Sequence, residues 1–282
     1  MDRIDDRTLT KENVAETNCC PGGLEVQHQE LKGDLARTLT WRQEMLKQGM
    51  KGFVSYHDRV ARGFAEYMPA ETAPFPIEAP GAAVLMCYHW EPLPGANEAE
   101  HHIQEKRLID LVIRQAAGSF TGLATLGWEH PDHFPIVMLE ELGFRQMERK
   151  REIALMWLPL NRPAQEPRVA PTCFAAQNLS VNGILAIESA SSSRCPYSIH
   201  NAARLQQIID QLPKEYRTRV RHFPRLIDTH EDAVRWAIAP WNWEWAFVNG
   251  EEIPIFQVSS DDLRRMIIDR AARCRQSHRS VA

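Results

Sequence analysis

A proline-rich stretch over residues 161–176 separates two runs of alternating strand and helix patterns. The stretch carries Pro163, Pro167 and Pro171 and has little apolar periodicity, as is typical of linkers. A chain of 282 residues is long enough for two compact units of ~100–200 residues each. We therefore predict a flexible polar head over 1–23, a first unit over 24–160, a linker over 161–176 and a second unit over 177–282.

Composition narrows the partners that the chain can have. Apolar residues make up 44% of the chain and charged residues 25%, which is typical of a folded globular protein. Because the net charge is −4, we expect no nucleic-acid partner. Residues 1–25 lack the apolar core of a secretory signal, and no apolar run reaches the ~18 residues of a membrane span. We therefore expect no membrane partner, a cytoplasmic location and cysteines that remain thiols.

The first unit alternates short β-type runs with helical patterns. Strands are predicted over 50–56, 61–67, 82–88, 120–126 and 144–157, and helices over 24–48, 103–117 and 135–142. The first two strands flank His57-Asp58-Arg59, a spacing typical of a hairpin. This order predicts a mixed sheet with helices on its faces, and hence an α/β fold.

The second unit has the predicted order βαβαββα. Its strands are expected over 181–187, 219–227, 243–248 and 253–258, and its helices over 197–212, from Thr229 and from Ser260 to about residue 273. Asn249-Gly250 between the last two strands is a type I′ hairpin signal. Both units therefore belong to the α/β class, with mixed sheets.

Several motifs of the first unit match one superfamily in order and spacing. They are the hairpin Gly52-Phe-Val-Ser-Tyr and Gly63-Phe-Ala-Glu-Tyr67, the strand end Met86-Cys-Tyr-His-Trp90, and Leu139-Glu-Glu-Leu-Gly-Phe-Arg145 before a strand. With these residues the unit resembles the GNAT superfamily of N-acetyltransferases over residues 50–160. The resemblance implies a GNAT acyl-CoA N-acyltransferase fold with acetyl-CoA as cosubstrate. It also implies transfer of the acetyl group to an amine of a small molecule or peptide.

The resemblance also implies where acetyl-CoA would bind. In such enzymes two parallel strands splay apart, so that the pantetheine arm pairs with exposed backbone and the pyrophosphate sits at a helix N-terminus. In this sequence the corresponding residues are a strand end and a helix start: Tyr88, His89 and Trp90, followed by His101, His102, Ile103, Lys106 and Arg107.

The helix start departs from the superfamily pattern. Glycines normally let the backbone approach the phosphates, but His101 and Ile103 occupy those positions here. Glu98 and Glu100 add negative charge, while Lys106 and Arg107 could supply positive charge. Two interpretations stay open: a cleft that still binds the cofactor, or a degenerate copy that keeps the fold only.

Acyl transfer to an amine needs a base, and an acid for the leaving thiolate. Glu91 follows one predicted central strand, and Glu129, with His130 and His133, follows the next. We take Glu91 and Glu129 as the catalytic candidates; the alternative is that both are solvated loop carboxylates. The tyrosine that many superfamily members use as the acid would fall near Leu139, and it is absent.

The second unit carries a possible thiol site. Cys195-Pro-Tyr-Ser198 lies between a strand and a helix, and a helix N-terminus favours the thiolate. The placement resembles thioredoxin-like proteins, with Ser198 where a resolving cysteine would stand, so an internal disulfide cannot close. The alternative is a relic of that fold in which Cys195 is unreactive. The alternative function is a non-catalytic GNAT-like scaffold with a redox or thiol/metal-sensing role through Cys195 or the Cys19-Cys20 pair. We predict no metal site, because two thiols do not complete one.

Overall fold

The computed structural model describes residues 4–19, 32–93, 95–129, 134–150, 152–161, 163–171, 174–180, 183–236, 246–253, 255 and 258–281. Their strands form a seven-stranded, a four-stranded and a two-stranded sheet, with helices packed on them. The predicted mixed α/β class is confirmed. No helix in the described ranges is long and apolar enough to span a membrane.

The seven-stranded sheet is the centre of the first unit. Its strands are β1 (Ile4–Thr8), β2 (Lys51–His57), β3 (Val60–Pro69), β5 (Ala83–Trp90), β6 (Gly122–Trp128), β7 (Arg145–Lys150) and β8 (Ile153–Pro159), and a short β4 (Ile77–Glu78) lies outside it. The strand order across the sheet is β1-β2-β3-β5-β6-β8-β7. β5 and β6 are its parallel pair, while the other neighbours are antiparallel.

Helices cover both faces of this sheet. They are α1 (Lys32–Lys47), α2 (Glu98–Ala116) and α3 (Ile136–Glu141), with a 3₁₀ helix at Val14–Cys19. Strand residues alternate between the faces. Leu85 packs with Leu108 and Ile109 of α2, whereas Val84 belongs to the core on the opposite face together with Trp41 of α1. α2 therefore lies on one face of the sheet, and α1 on the other.

The turns form where the sequence predicts them. Asp58 and Arg59 have φ angles of 50° and 70°, as a tight hairpin between β2 and β3 requires. Gly143 ends α3 with a φ of 90°, a backbone conformation that glycine adopts without strain. These local signals fix the hairpin, and they fix the end of the helix before β7.

Three sequence predictions for the first unit are wrong. Residues 4–19 are not part of a flexible head, because β1 pairs with β2 and Val14 is fully buried. The single strand predicted over 144–157 is a hairpin of β7 and β8, because the chain turns between Lys150 and Ile153. α2 begins at Glu98, earlier than expected, because Asn97 caps it.

The second unit has the predicted order of elements, apart from one short helix that was not predicted. Its strands are β10 (Leu185–Ser191), β11 (Val220–Leu226), β12 (Ala246–Val248) and β13 (Glu251–Ile253). Its helices are α4 (Pro196–Asp210), the short α5 (Lys214–Arg217), α6 (His230–Trp236) and α7 (Ser260–Val281). The sheet order is β11-β10-β12-β13, with β10 and β11 parallel and the other pairs antiparallel.

The segment between the units is packed on the first one. Within it, β9 (Arg168–Val169) pairs with β4, and Ala170 is buried. The two units also share one apolar core, in which Ala190, Ile227 and Ala233 join Val84 and Met86. This shared core fixes the second unit against the face of the large sheet that α1 also covers.

Candidate functional site

The parallel strands β5 and β6 pair with each other for only two residues. Ala83 pairs with Leu123 and Val84 with Ala124, and the ladder ends there although both strands continue to Trp90 and Trp128. Beyond Val84, the edge of β5 that faces β6 therefore has no partner strand among the described residues. The sheet contains a gap at this point.

A β-bulge in β5 lies at the start of the gap. Glu66 of β3 pairs with Cys87 and Tyr67 pairs with Leu85, so that Met86 has no opposite residue. A bulge leaves its extra residue out of the ladder and bends the strand. Met86 is that residue, and the gap begins beside it.

The bulge decides which backbone groups face the gap. The Glu91 N–H donates to the Arg62 carbonyl at 2.6 Å, which marks a hydrogen-bonded antiparallel pair. Because such pairs alternate along a ladder, His89 also bonds to β3. The backbone groups of Tyr88 and Trp90 then point away from β3, into the gap. An extended ligand could pair with them as a strand does.

Side chains fill the innermost part of the gap. The Thr125 hydroxyl donates to the Leu85 carbonyl at 2.9 Å. The Arg194 guanidinium, which comes from the second unit, donates through Nη1 to the Met86 carbonyl at 2.7 Å. The carbonyls of Leu85 and Met86 are thus already satisfied, whereas the outer carbonyl of Tyr88 has a long contact from Cys87 Sγ, at 4.0 Å.

The N-terminus of α2 is closed by a capping box. The Asn97 side chain accepts from the Glu100 N–H at 2.9 Å, and the Glu100 carboxylate accepts from the Asn97 N–H at 3.1 Å. Two of the donors that would bind an anion are therefore occupied by this chain. Glu98 in the same turn adds further negative charge.

A cleft of about 770 Å³ lies between α2, α3 and the end of β6. Its apolar wall includes Trp128, Ile136 and Met138. Lys106 and Arg149 supply its positive charge, and each is paired with a carboxylate: Lys106 with Glu141, and Arg149 with Glu129. The cleft could hold an elongated ligand of mixed polarity.

Three of the predicted site residues line this cleft: His102, Lys106 and Glu129. Trp90 and His101 line a second cavity of about 460 Å³ instead. Ile103 is 60% exposed and lines neither cavity, because its helix position faces solvent. Five of the ten predicted residues therefore divide between two cavities on different sides of α2, and the other five line neither of the two.

Arg107 and Glu91 do not line the large cleft. The Arg107 guanidinium pairs with Asp6 of β1, donates to the Ser55 hydroxyl at 3.2 Å and lies 5.6 Å from the centre of the Trp90 ring, so it faces the edge of the sheet. Glu91 lies 3.4 Å from His89, between Oε2 and Nε2, and is not among the residues that line the large cleft. The structure thus separates the two catalytic candidates: Glu129 lies at the cleft and Glu91 beside His89.

Burial changes the acidity of two residues at the end of β5. It raises the pKa of Tyr88 well above its ordinary value, and the ring packs 4.6 Å from that of Phe134. Burial also lowers the pKa of His89, although the hydrogen bond and the charge of Glu91 oppose that shift. His89 is therefore a neutral imidazole near pH 7, able to accept a proton.

A buried ion pair lies beneath the bulge. Glu66 of β3 is fully buried, and its Oε1 lies 2.6 Å from Nε of Arg42, which is 2% exposed. Burial raises the pKa of Glu66, while Arg42 and then Arg194 oppose the shift. Sequence reasoning missed this pair; its signal was a glutamate inside the apolar run Phe64-Ala-Glu-Tyr-Met68.

The thiol candidates lie elsewhere. Cys195 is the residue before α4, in extended conformation and partly exposed. The Ser198 hydroxyl accepts from the Ser192 N–H at 2.9 Å, so this residue holds the loop. Cys20, His130 and His133 lie outside the described residues, as does the side chain of Cys19. In the ranges that are described, no group of three or more His, Cys, Asp or Glu residues could hold a metal ion.

Comparison with known proteins gives likenesses of structure alone. No family model matches the chain, and no curated protein matches it. A GNAT family acetyltransferase from Brucella melitensis, solved with acetyl-CoA, is 14% identical, with a TM-score of 0.39 over 59% of this chain and 93% of that one. The ribosomal-protein-S18-alanine N-acetyltransferase from Escherichia coli is 13% identical, with a TM-score of 0.39 over 58% and 98%. An N-acetyltransferase from Staphylococcus aureus Mu50 is 13% identical, with a TM-score of 0.39 over 56% and 99%.

Proposed function

We propose that this protein transfers an acyl group, in the first place acetyl, from acetyl-CoA to an amine of a small molecule or peptide. The observation that carries the proposal is the gap between the parallel strands β5 and β6, which begins at a bulge. The backbone groups of Tyr88 and Trp90 face this gap, where the amides of a pantetheine arm could pair with them. A backbone N–H there would also stabilise the oxyanion that develops on a thioester carbonyl.

The described residues offer more favourable contacts to the pantetheine arm of acetyl-CoA than to its nucleotide. Trp128 and Met138 offer an apolar wall, and the gap offers backbone partners. In contrast, Glu100 occupies the helix start where a pyrophosphate would bind, and Lys106 is paired with Glu141. We therefore infer that the acyl thioester and its pantetheine arm contribute most of the binding energy. A superfamily relationship to GNAT enzymes is part of this proposal.

Two carboxylates take the proposed catalytic roles. Acetyl-CoA supplies an activated acyl group, and the chain must remove the proton from the attacking amine. Glu129 lines the cleft and is the first candidate for the base. Glu91 is the second, acting through His89, whose neutral imidazole it contacts at 3.4 Å. Each can be tested without changing the gap itself.

The test is a titration followed by a transfer assay. Calorimetry with acetyl-CoA and with acetyl-pantetheine should give binding to both, with dissociation constants that differ by less than about 10-fold, or ~1.4 kcal/mol. Release of free thiol is then measured over a panel of amines. Loss of a general base lowers kcat by about 100-fold or more. We expect that loss for Glu129→Gln or for Glu91→Gln, and none for Glu152→Gln, an exposed control. Absence of binding at millimolar acetyl-CoA would refute the proposal.

A second candidate function concerns the second unit. The sheet order β11-β10-β12-β13 with a cysteine before α4 favours a thioredoxin-like unit with a thiol-reactive Cys195. Because Ser198 stands where a resolving cysteine would be, such a thiol would form mixed disulfides only. Alkylation with iodoacetamide tests this. Cys195 should react faster than an exposed reference thiol at pH 7, and an equal or slower rate would remove this candidate.

A further inference from the structure

Arg194 crosses from the second unit into the first. It lies in the loop between β10 and α4 and is only 5% exposed. Its Nη1 donates to the Met86 carbonyl at 2.7 Å, and its guanidinium carbon lies 4.5 Å from the centre of the Phe75 ring. Both contacts are with residues of the first unit, more than a hundred positions earlier in the chain.

The carbonyl that Arg194 binds is the one that the bulge removes from the ladder. Met86 has no opposite residue on β3, and beyond Val84 β6 does not pair with β5. A buried carbonyl without a donor is unfavourable, so the bulge needs a donor from elsewhere. Arg194 is that donor, and it comes from the second unit.

The positive charge of Arg194 also stabilises the buried carboxylate of Glu66, next to the bulge. Glu66 is fully buried and pairs across the strands with Cys87, the residue after Met86. Arg42 neutralises Glu66 directly, and the charge of Arg194 acts on the same carboxylate. A planar guanidinium can stack on a ring and donate at its edge, which a lysine ammonium cannot do with the same geometry.

We propose that Arg194 is a positioning residue of the gap between β5 and β6, through which the second unit completes a site built on the first. The proposal rests on the proposed function. Arg194 fixes the Met86 carbonyl, the bulge fixes the strand beyond it, and the strand aims the backbone of Tyr88 and Trp90 into the gap. The second unit is therefore part of the acyltransferase site, and not an appended module.

The test uses the full chain with Arg194→Lys, Arg194→Met and a control, Arg217→Met. Arg217 lies in the same unit, is exposed and donates to the Asp210 carbonyl at 2.9 Å, so the control loses a guanidinium–carbonyl bond that does not reach the first unit. Amide hydrogen exchange is measured on a peptide covering 84–91 and on β8 as an internal reference. We expect about 10-fold faster exchange over 84–91 in both Arg194 variants, unchanged exchange in β8, and no change in the control.

Ligand binding is measured on the same variants. Acetyl-CoA should bind about 10-fold more weakly to Arg194→Met, equivalent to ~1.4 kcal/mol, with the KM for the amine unchanged. If Arg194→Met does not fold, Arg194→Lys decides. Unchanged exchange over 84–91 overturns the positioning role, and faster exchange with unchanged affinity overturns the link between Arg194 and acetyl-CoA binding. If the wild-type protein binds no acetyl-CoA, the proposed function fails, and the link to acetyl-CoA binding fails with it, whatever the exchange shows.

Discussion

Replacing Arg42 with methionine should destabilise the protein by about 3 kcal/mol, because it leaves Glu66 charged in a fully buried position. Breaking a buried pair by removing one partner costs ~3–5 kcal/mol. We expect the lower end, because Arg194 still acts on the same carboxylate. In a chain of this size, the midpoint of thermal unfolding should fall by about 6–12 °C.

The loss of stability in Arg42→Met should depend on pH, and the pKa of Glu66 determines in which direction. Burial already raises the pKa of Glu66 in the folded protein, and Arg42 opposes that rise. Without Arg42 the pKa rises further, so the folded state binds the proton more tightly than the unfolded state does. A raised carboxyl pKa favours the folded state at low pH and loses that contribution as the pH rises through the folded pKa. The destabilisation of Arg42→Met should therefore be largest near pH 8 and smaller near pH 5.

Thermal unfolding followed by circular dichroism at both pH values measures this. Two further variants are measured alongside. The double variant Arg42→Met, Glu66→Gln removes the buried charge and should recover part of the lost stability. Arg114→Met is the control. Arg114 forms an exposed pair with Asp110 at 2.6 Å, and such pairs contribute about 0.3–0.5 kcal/mol. The reasoning is refuted if Arg42→Met costs no more than Arg114→Met, or if its cost is the same at pH 5 and pH 8.

Three further perturbations follow from the geometry. Gly122→Ala should destabilise the protein by about 3 kcal/mol, seen as a lower unfolding midpoint, because its new methyl would lie 1.8 Å from Cη2 of the buried Trp157. Glu100→Gln should tighten acetyl-CoA binding by about 2–5-fold in calorimetry, because it removes a negative charge from the start of α2. Burial lowers the pKa of His222 to about 4, and Ser189 Oγ lies 2.8 Å from its Nε2. A lowered histidine pKa means stability that is present above the unfolded pKa of about 6.5 and is lost as the pH falls toward the folded value, so His222→Gln should flatten that acid-side decline.

Each of these has a control and a contrary outcome. Gly118→Ala, whose new methyl would meet nothing nearer than 3.7 Å, should be tolerated, and equal losses at both glycines would contradict the packing argument. Acetyl-pantetheine lacks the nucleotide and should bind Glu100→Gln as it binds the wild type. An NMR titration in which His222 takes up its proton near pH 6.5 would contradict its assignment as a buried neutral ring.

Most of the fold could be predicted from short-range sequence signals. The β2–β3 hairpin, the glycine after α3 and the Asn249-Gly250 turn each depend on a few adjacent residues, and the structure has them, with Asn249 at a φ of 48° and Gly250 at 87°. β1 was missed because its sequence, Ile4-Asp-Asp-Arg-Thr8, is polar and mostly exposed. An edge strand of this kind is held by backbone hydrogen bonds to β2, and its sequence has no alternation of apolar and polar residues that would predict a strand.

Less of the candidate site than of the fold follows from the sequence. The resemblance predicted two parallel strands that splay apart, and β5 and β6 do separate beyond Val84. The binding roles of Tyr88 and Trp90 stay predictions. The capping box could be identified from the sequence, because Asn97 and Glu100 have the spacing of that motif. The contact of Arg194 with Met86 could not be predicted, because the two residues are 108 positions apart and no local pattern joins them.

The shared core has a consequence for how the chain must be made. Trp41 of α1 donates its indole N–H to the Asp228 carbonyl at 3.1 Å, 187 positions later. At synthesis rates of about 5–20 residues per second, roughly 10–40 s pass between the emergence of these two partners from the ribosome. During that time the face of the large sheet that carries Met86 and Val84 lacks part of its cover. A nascent or prematurely terminated chain therefore exposes an apolar surface that can aggregate with other chains. The yield of folded protein in a cell should depend on chaperones that cover this face until the last third of the chain is made.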